Sequence, residues 1–527
     1  MIPSLLHAAR GFLSGTGALI LPELELLLFA GGIFLIDRWL SAAEKHWNAI
    51  LALAGTAFSA FTLYVQYGKI AALRDANPDV PGLLGVRESL LVDPFFLYFA
   101  ALFLAATALI ILFSMSFSAR RDSPRGSDLA LLLLGCAGMM LIVSGVDVLA
   151  IFLGLQLTAV SCFALVRRGP RSDAAAKSFA ALWACSSVAL ALGFLLLYGE
   201  FRTTSLGRIG AALDLRVENG VASGGLTTWH ARLALALLAA GIFLLMEAAP
   251  LHWFSTGVYD SAPTPAAAYF GTAVKAAACA LLLRFFSFLF LFAHRQWLYV
   301  WESVAVVSLL WGSIAAMRQK NLLRLLAYGS VAHTGFLLLA LVAENENGFH
   351  GFLFYVGFYL FSFVGVLGVL LVMEHSAPSA PGENAETLPA QLPSSQGWQL
   401  ADLHGLWWKN RAAAVILLLL VMSLAGVPPA AGFLAKFYMI RALLGGAHPY
   451  LAALAMAATV AAIYYYGRIA ALAFKKPSAI AGAEAQPARF TIGYAASVAF
   501  TVAVFVSLVA GLYPEPFVQM ARYAFGQ

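Results

Sequence analysis

Lys275, His333 and Lys436 are titratable side chains set deep in apolar sequence. A charged side chain at such depth costs at least ~2.5–3.5 kcal/mol on insertion scales, so a functional role is the default reading. Lys436 follows Pro428 and Pro429 within the stretch 423–438. Those prolines remove two backbone donors and interrupt the helical ladder. In hydrocarbon such a break survives only where protein or a water-filled cavity satisfies the freed carbonyls. A lysine snorkelling to an interface from a short helix is the plainer alternative, but apolar sequence continues on both sides of Lys436. Lys275 sits among Gly271, Ala273 and Ala276–Ala278, small residues that permit close helix packing. Amines withheld from water can exchange protons near neutral pH. His333, between Gly329 and Gly335, could relay protons or serve as a hydrogen-bonded packing histidine. The chemistry these residue types imply is movement of protons or ions.

A second interrupted stretch precedes Lys275. Residues 247–265 hold Pro250, Pro263, Pro265 and Gly257 between two apolar runs, together with Glu247 and His252. Glu247 could face the break or merely cap its polar turn. Glu23 and Glu25 open the first apolar run, where an interfacial position is the simpler expectation. Asp147 falls in a tight turn between two apolar runs and reads as a turn residue. Tyr464, Tyr465 and Tyr466 read as interface or core aromatics.

These residues need a membrane bundle to position them. The chain has 527 residues, of which 61% are hydrophobic and only 11% charged, with mean hydropathy +0.84. That composition excludes a soluble domain and implies an all-α polytopic membrane protein. The net charge of +6 does not point to nucleic acid, because the basic residues sit mainly at the ends of apolar runs. Cys136, Cys162, Cys185 and Cys279 lie within apolar runs without metal-ligand spacing and read as small buried hydrophobes. No glycine-rich nucleotide loop and no cysteine cluster for iron–sulfur centres occurs. Residues 1–16 lack the pattern of a cleavable signal.

Hydropathy predicts roughly fourteen spans, near 17–36, 48–67, 94–117, 128–144, 148–166, 174–198, 231–250, 264–293, 300–316, 322–343, 350–373, 411–443, 450–473 and 490–512. Basic clusters at Arg120, Arg121 and Arg125, at Arg167, Arg168 and Arg171, at Arg318, Lys320 and Arg324, and at Lys475, Lys476 and Arg489 fall on one side if the spans alternate. That side is expected to be cytoplasmic, leaving both termini outside. Residues 199–230 read as a polar loop, and 375–400 as a flexible cytoplasmic linker rich in Pro, Ser, Gly and Gln. Breaks in both halves point to an inverted repeat around a midplane site. The expected organisation is a three-helix segment over 1–127, one five-helix repeat over 128–293, a second over 294–473, and a last helix over 474–527.

Ordered motifs then carry a resemblance. They are Asp93-Pro-Phe95, the run from Gly138 through Asp147 to Gln156, Pro250-Leu-His-Trp253 with Ala262–Pro265, Lys275, Arg324–His333, and Leu424–Lys436. Together, over roughly residues 90–475, they resemble the antiporter-like membrane subunits of respiratory complex I, most closely its subunit N. The resemblance implies fourteen helices, inverted five-helix repeats and discontinuous seventh and twelfth helices. It also implies proton translocation through Lys275, His333 and Lys436, coupled to quinone reduction by NADH elsewhere in the complex. NAD, FMN, iron–sulfur clusters and quinone would belong to partner subunits, with other membrane subunits and the lipid bilayer as neighbours. A lysine in the twelfth helix favours subunits N or L over M, and the absence of a long lateral helix before Gln527 leaves N.

Two positions depart from the family pattern. Gln156 stands where the family has a fifth-helix glutamate, and Leu245 where it has a seventh-helix lysine; in the family those side chains form an ion pair. Loss of one alone would leave a buried unpaired charge costing about 3–5 kcal/mol, whereas loss of both leaves a neutral site. Glu247 is not expected to replace the lysine: its sign is wrong, and two residues rotate it about 200° around a helix. The alternatives are a subunit of a multisubunit cation/proton antiporter or membrane-bound hydrogenase, and a non-pumping structural paralogue.

Overall fold

The computed structural model describes residues 16–41, 44–77, 80–86, 88–115, 126–167, 172–218, 229–290, 294–374, 398–446, 448–476 and 490–524. Apolar sequence of this kind folds as helices because a helix satisfies its backbone polar groups internally. The chain begins with α1 (Leu21–Ile36), α2 (His46–Ala76) and α3 (Pro94–Met115). Between α2 and α3, Leu83–Gly85 and Leu90–Val92 form a small antiparallel pair with Leu84 opposite Leu91. Next come α4 (Gly126–Ser144), α5 (Val148–Val166), α6 (Ser172–Phe201), α7 (Leu206–Glu218) and α8 (Trp229–Leu245). Beyond the first break lie α9 (Trp253–Ser261) and α10 (Thr264–Leu289). They are followed by α11 (His294–Arg318), α12 (Leu322–Val342) and α13 (Glu346–Glu374). The last part contains α14 (Arg411–Ala425), α15 (Ala431–Gly445), α16 (Pro449–Phe474), α17 (Tyr494–Leu512) and α18 (Glu515–Ala524).

Twelve described helices are long and apolar enough to cross a membrane. Two further expected spans are divided, α8 from α9 and α14 from α15, at the proline-bearing stretches. Burial ranks the helices. In α12, 94% of the apolar window is enclosed by protein and in α10 89%, against 33% for α17, so α10 and α12 form the axis of the bundle. Outward faces remain apolar: Leu149, Leu153 and Val160 are exposed along one stripe of α5, as lipid-facing surface requires. Side-chain caps set several helix starts. Asp147 accepts from Leu149 N, Asn321 from Arg324 N and Asn410 from Ala413 N. Asp260 ties α9 to the start of α12 by accepting from Asn321 Nδ2 and Arg324 Nη2, each at 2.8 Å.

Several expectations change. Residues 199–230 are not simply loop: α7 forms because Leu206, Ile209 and Leu213 recur at helical spacing and are buried. Residues 219–228 lie outside the described residues. Glu23 is not interfacial but buried, with Oε1 3.5 Å from the Ser144 hydroxyl, while Glu25 accepts from Thr62 Oγ1 at 2.8 Å. The α1–α2–α4 packing encloses a position that hydropathy alone puts at a span's edge. Cys136, Cys162 and Cys279 are buried, but Cys185 is exposed on the outward face of α6. Most of the 375–400 linker, the N-terminal fifteen residues, Arg120, Arg121, Arg125, Arg168, Arg171, Arg489 and Gln527 lie outside the described residues. The returning chain does pair with the start of α12, through Leu322 N to Trp398 O and Leu400 N to Lys320 O.

Candidate functional site

Lys275 lies on α10, just after a π-helical turn at Phe270–Val274. Such a turn shifts the helix register, a device that recurs at working sites. Its side chain is 2% exposed. It donates to Glu247 Oε2 at 3.1 Å, to Ser330 O at 2.8 Å, and to the Ser330 hydroxyl. Ser330 in turn donates to Glu247 Oε2 and accepts from Tyr359 OH at 3.0 Å. The Tyr359 ring lies 5.5 Å from the ammonium. A carboxylate from the first break, a hydroxyl and carbonyl from α12 and an aromatic face from α13 therefore converge on one amine.

Glu247 reaches Lys275 because α8 stops at Leu245. The 200° rotation expected from helical spacing does not apply, since Glu247 has left the helix with φ 61°. The break follows from backbone chemistry. Pro250 cannot donate to Met246 O, and that carbonyl instead accepts from Thr334 Oγ1 of α12 at 2.6 Å. Ala249 N donates to Ser308 Oγ at 2.9 Å.

The second break repeats the logic. In an uninterrupted helix, residues 428 and 429 would donate to Leu424 O and Ala425 O. Both are prolines, and both carbonyls accept from Lys436 Nζ instead, at 3.3 and 2.8 Å. These oxygens end α14, where the helix dipole favours a cation. Gly426 caps that end at φ 83°, a conformation glycine adopts without steric cost, and a Cβ there would press on the Lys436 side chain. Lys436 is 2% exposed and lies 4.8 Å from the Phe336 ring of α12.

His333 is buried on α12 one turn beyond Ser330. Its Nδ1 is 2.6 Å from Tyr355 OH and its Nε2 3.2 Å from Tyr466 OH. The Tyr359 ring sits 5.0 Å away. A neutral imidazole can donate at one nitrogen and accept at the other, so both contacts are satisfied together. Lys275 and His333 thus lie on the two innermost helices, and Lys436 approaches α12 from α15. Phe336, one turn past His333, lies against Lys436.

The remaining sequence candidates sit elsewhere. Asp147 is a turn residue, capping α5 and accepting from Thr204 Oγ1. Gln156 donates to Ser187 Oγ at 3.1 Å. Leu245 lines a small apolar cavity with Ile142, Leu155, Trp183, Val274 and Ala277. His252 is buried at the start of α9, its ring 6.0 Å from those of Trp311 and Tyr328. The sequence alone does not mark Ser330, Tyr355 or Tyr359 as site residues, and it presents Tyr466 only as an interface or core aromatic. Ser330 and His333 share a face at i, i+3, a signal available once His333 is chosen; the tyrosines carry no such mark. Also unanticipated is a buried pair near the other end of α10. Arg284 holds Asp93 with two nitrogens and donates to Val143 O at 2.9 and 3.1 Å.

Comparison with known proteins bears on the family and the fold. Residues 145–462 match the family described as NADH:quinone oxidoreductase/Mrp antiporter, TM. The chain is 34% identical to NADH-quinone oxidoreductase subunit N 1 of Koribacter versatilis (strain Ellin345), over 96% of this chain and 94% of that one. It is 32% identical to subunit N 2 of Solibacter usitatus (strain Ellin6076), over 95% and 96%. Among solved structures, a chain of respiratory complex I from Thermus thermophilus with bound Aureothin superposes with TM-score 0.72 at 24% identity, covering 94% of this chain and 98% of that one. A chain of the Mrp complex from Dietzia sp. DQ12-45-1b gives TM-score 0.75 at 18% identity, covering 95% and 96%, which speaks to fold alone. The chain therefore belongs to the NADH:quinone oxidoreductase/Mrp antiporter transmembrane family.

Proposed function

We propose that this chain is a proton-translocating membrane subunit, of the subunit N type, in an NADH:quinone oxidoreductase, and that protons pass along Lys275, His333 and Lys436. One observation carries the reading: two fully enclosed ammonium groups, each seated at a helix break, flank a buried histidine along the axis of the bundle. Neither lysine faces outward, so snorkelling does not account for them. The chain contributes to the oxidoreductase by membership of the complex, while NAD, FMN, iron–sulfur clusters and quinone belong to partner subunits. The other membrane subunits and lipid are its neighbours in a cell inner membrane, with both termini on the non-cytoplasmic side. Residues 128–293 and 294–473 act as the two five-helix repeats, one break in each.

In membranes holding the assembled complex, Lys275→Ala is expected to lower the number of protons moved per quinone reduced. An unchanged ratio would contradict the reading. A second reading, a non-pumping structural paralogue, is favoured by Leu245 facing an apolar cavity, and it predicts that unchanged ratio.

A further inference from the structure

The two carboxylate oxygens of Glu247 are in different circumstances. Oε2 is bound to Lys275 Nζ and to the Ser330 hydroxyl, whereas Oε1 is buried and has no hydrogen-bond partner among the described residues. A buried oxygen left unsatisfied costs free energy, more so on a charged group. Glu247 also holds φ 61°, unusual for a residue with a Cβ, and strain of this kind clusters at working sites. The break thus presents a carboxylate with one oxygen committed to the amine and the other open to receive a proton. Gln156 and Leu245 offer no charge here: one is bonded to Ser187 and the other faces an apolar cavity.

We propose that Glu247 is a proton carrier that loads Lys275, so that the break of the seventh span is itself the last step of the input route. This rests on the reading of Lys275, His333 and Lys436 as a proton path. In the resting arrangement Glu247 is a carboxylate, Lys275 an ammonium and His333 neutral. A proton from water reaches Glu247 Oε1 and makes it a neutral acid, which releases its hold on the ammonium. Lys275 then gives one proton to His333, one helical turn from Ser330 on α12. The acid proton of Glu247 moves to the neutral Lys275 amine, restoring carboxylate and ammonium. The imidazolium passes its proton on toward Lys436 and becomes neutral again. One proton enters, one leaves, and the pair returns to its starting charge.

Glu247→Gln separates titration from positioning, because the glutamine oxygen can still accept from Lys275 while the side chain cannot carry a proton. In membranes holding the assembled complex, Glu247→Gln is expected to lose protons moved per quinone reduced, and Glu247→Asp, which keeps a titratable group, to recover them. Wild-type proton yield in Glu247→Gln, or equal loss in both variants, would overturn the proposal. Lys275→Ala measured alongside keeps the two ideas apart. Loss in Lys275→Ala with normal yield in Glu247→Gln sinks the carrier alone, while normal yield in Lys275→Ala sinks the path on which it rests. Should Glu247→Gln fail to enter the complex, infrared difference spectra of the wild type and Glu247→Asp decide. Turnover is expected to raise a protonated-carboxyl band that shifts in the aspartate variant, and the absence of any shift would overturn the assignment.

Discussion

Lys436 is held by two carbonyl oxygens, and Lys275 by a carboxylate, a hydroxyl and a carbonyl. Their removal therefore has different structural consequences. Lys275→Met strands Glu247 as a buried charge, a loss worth about 3–5 kcal/mol. Lys436→Met strands only carbonyls, at about 1–3 kcal/mol. The thermal midpoint of the purified complex should consequently fall further for Lys275→Met than for Lys436→Met, and equal midpoints would contradict the pairing described. The Asp93–Arg284 pair responds by the same rule. Arg284→Met should reduce incorporation of the subunit, and adding Asp93→Leu should restore part of it. Recovery stays partial because Asp93 also accepts from Phe96 N at 2.8 Å, and Arg284 satisfies Val143 O. Quantifying this subunit in purified complex for the single and double variants checks both halves.

At the scale of the helix, each break works by leaving carbonyls without their usual donors. Pro428→Ala with Pro429→Ala returns two N–H groups to the positions that would bond Leu424 O and Ala425 O. Lys436 then competes with its own backbone for those oxygens, and the expected outcome is fewer protons moved per quinone reduced by an incorporated subunit. An unchanged ratio would show that the prolines do not seat the lysine. Gly432, at the start of α15, tests how closely the two half-helices approach. A Cβ there would overlap the Ser423 carbonyl of α14. Gly432→Ala should therefore lower the thermal midpoint of the complex, consistent with overpacking of about 1–3 kcal/mol.

Across the whole molecule, the sequence made the breaks and the buried lysines legible, because proline, lysine and hydropathy are local signals. The enclosure of Lys275, Lys436 and His333 followed from apolar runs on both sides of each residue. The partners of those side chains were not legible. Tyr355, Tyr359 and Tyr466 reach His333 or Ser330 from α13 and α16, and nothing in one chain of letters distinguishes them from packing aromatics. Whether Glu247 faces the break or caps its turn was not legible either, because α8 ends at Leu245 and helical spacing gives no direction beyond it; in the structure its carboxylate meets Lys275. Glu23 was placed at an interface because hydropathy registers the edge of a span and not the helices packed around it.

The central claim is that protons cross this bundle by way of amines enclosed within it, and Lys436 offers the least ambiguous test because no carboxylate is stranded by its removal. Proton release and quinone reduction should be followed together in sealed membranes containing the complex with Lys436→Met, after confirming that the subunit is present in normal amount. The account predicts fewer protons released per quinone reduced than in the wild type. An identical ratio, from a fully incorporated variant, would contradict it.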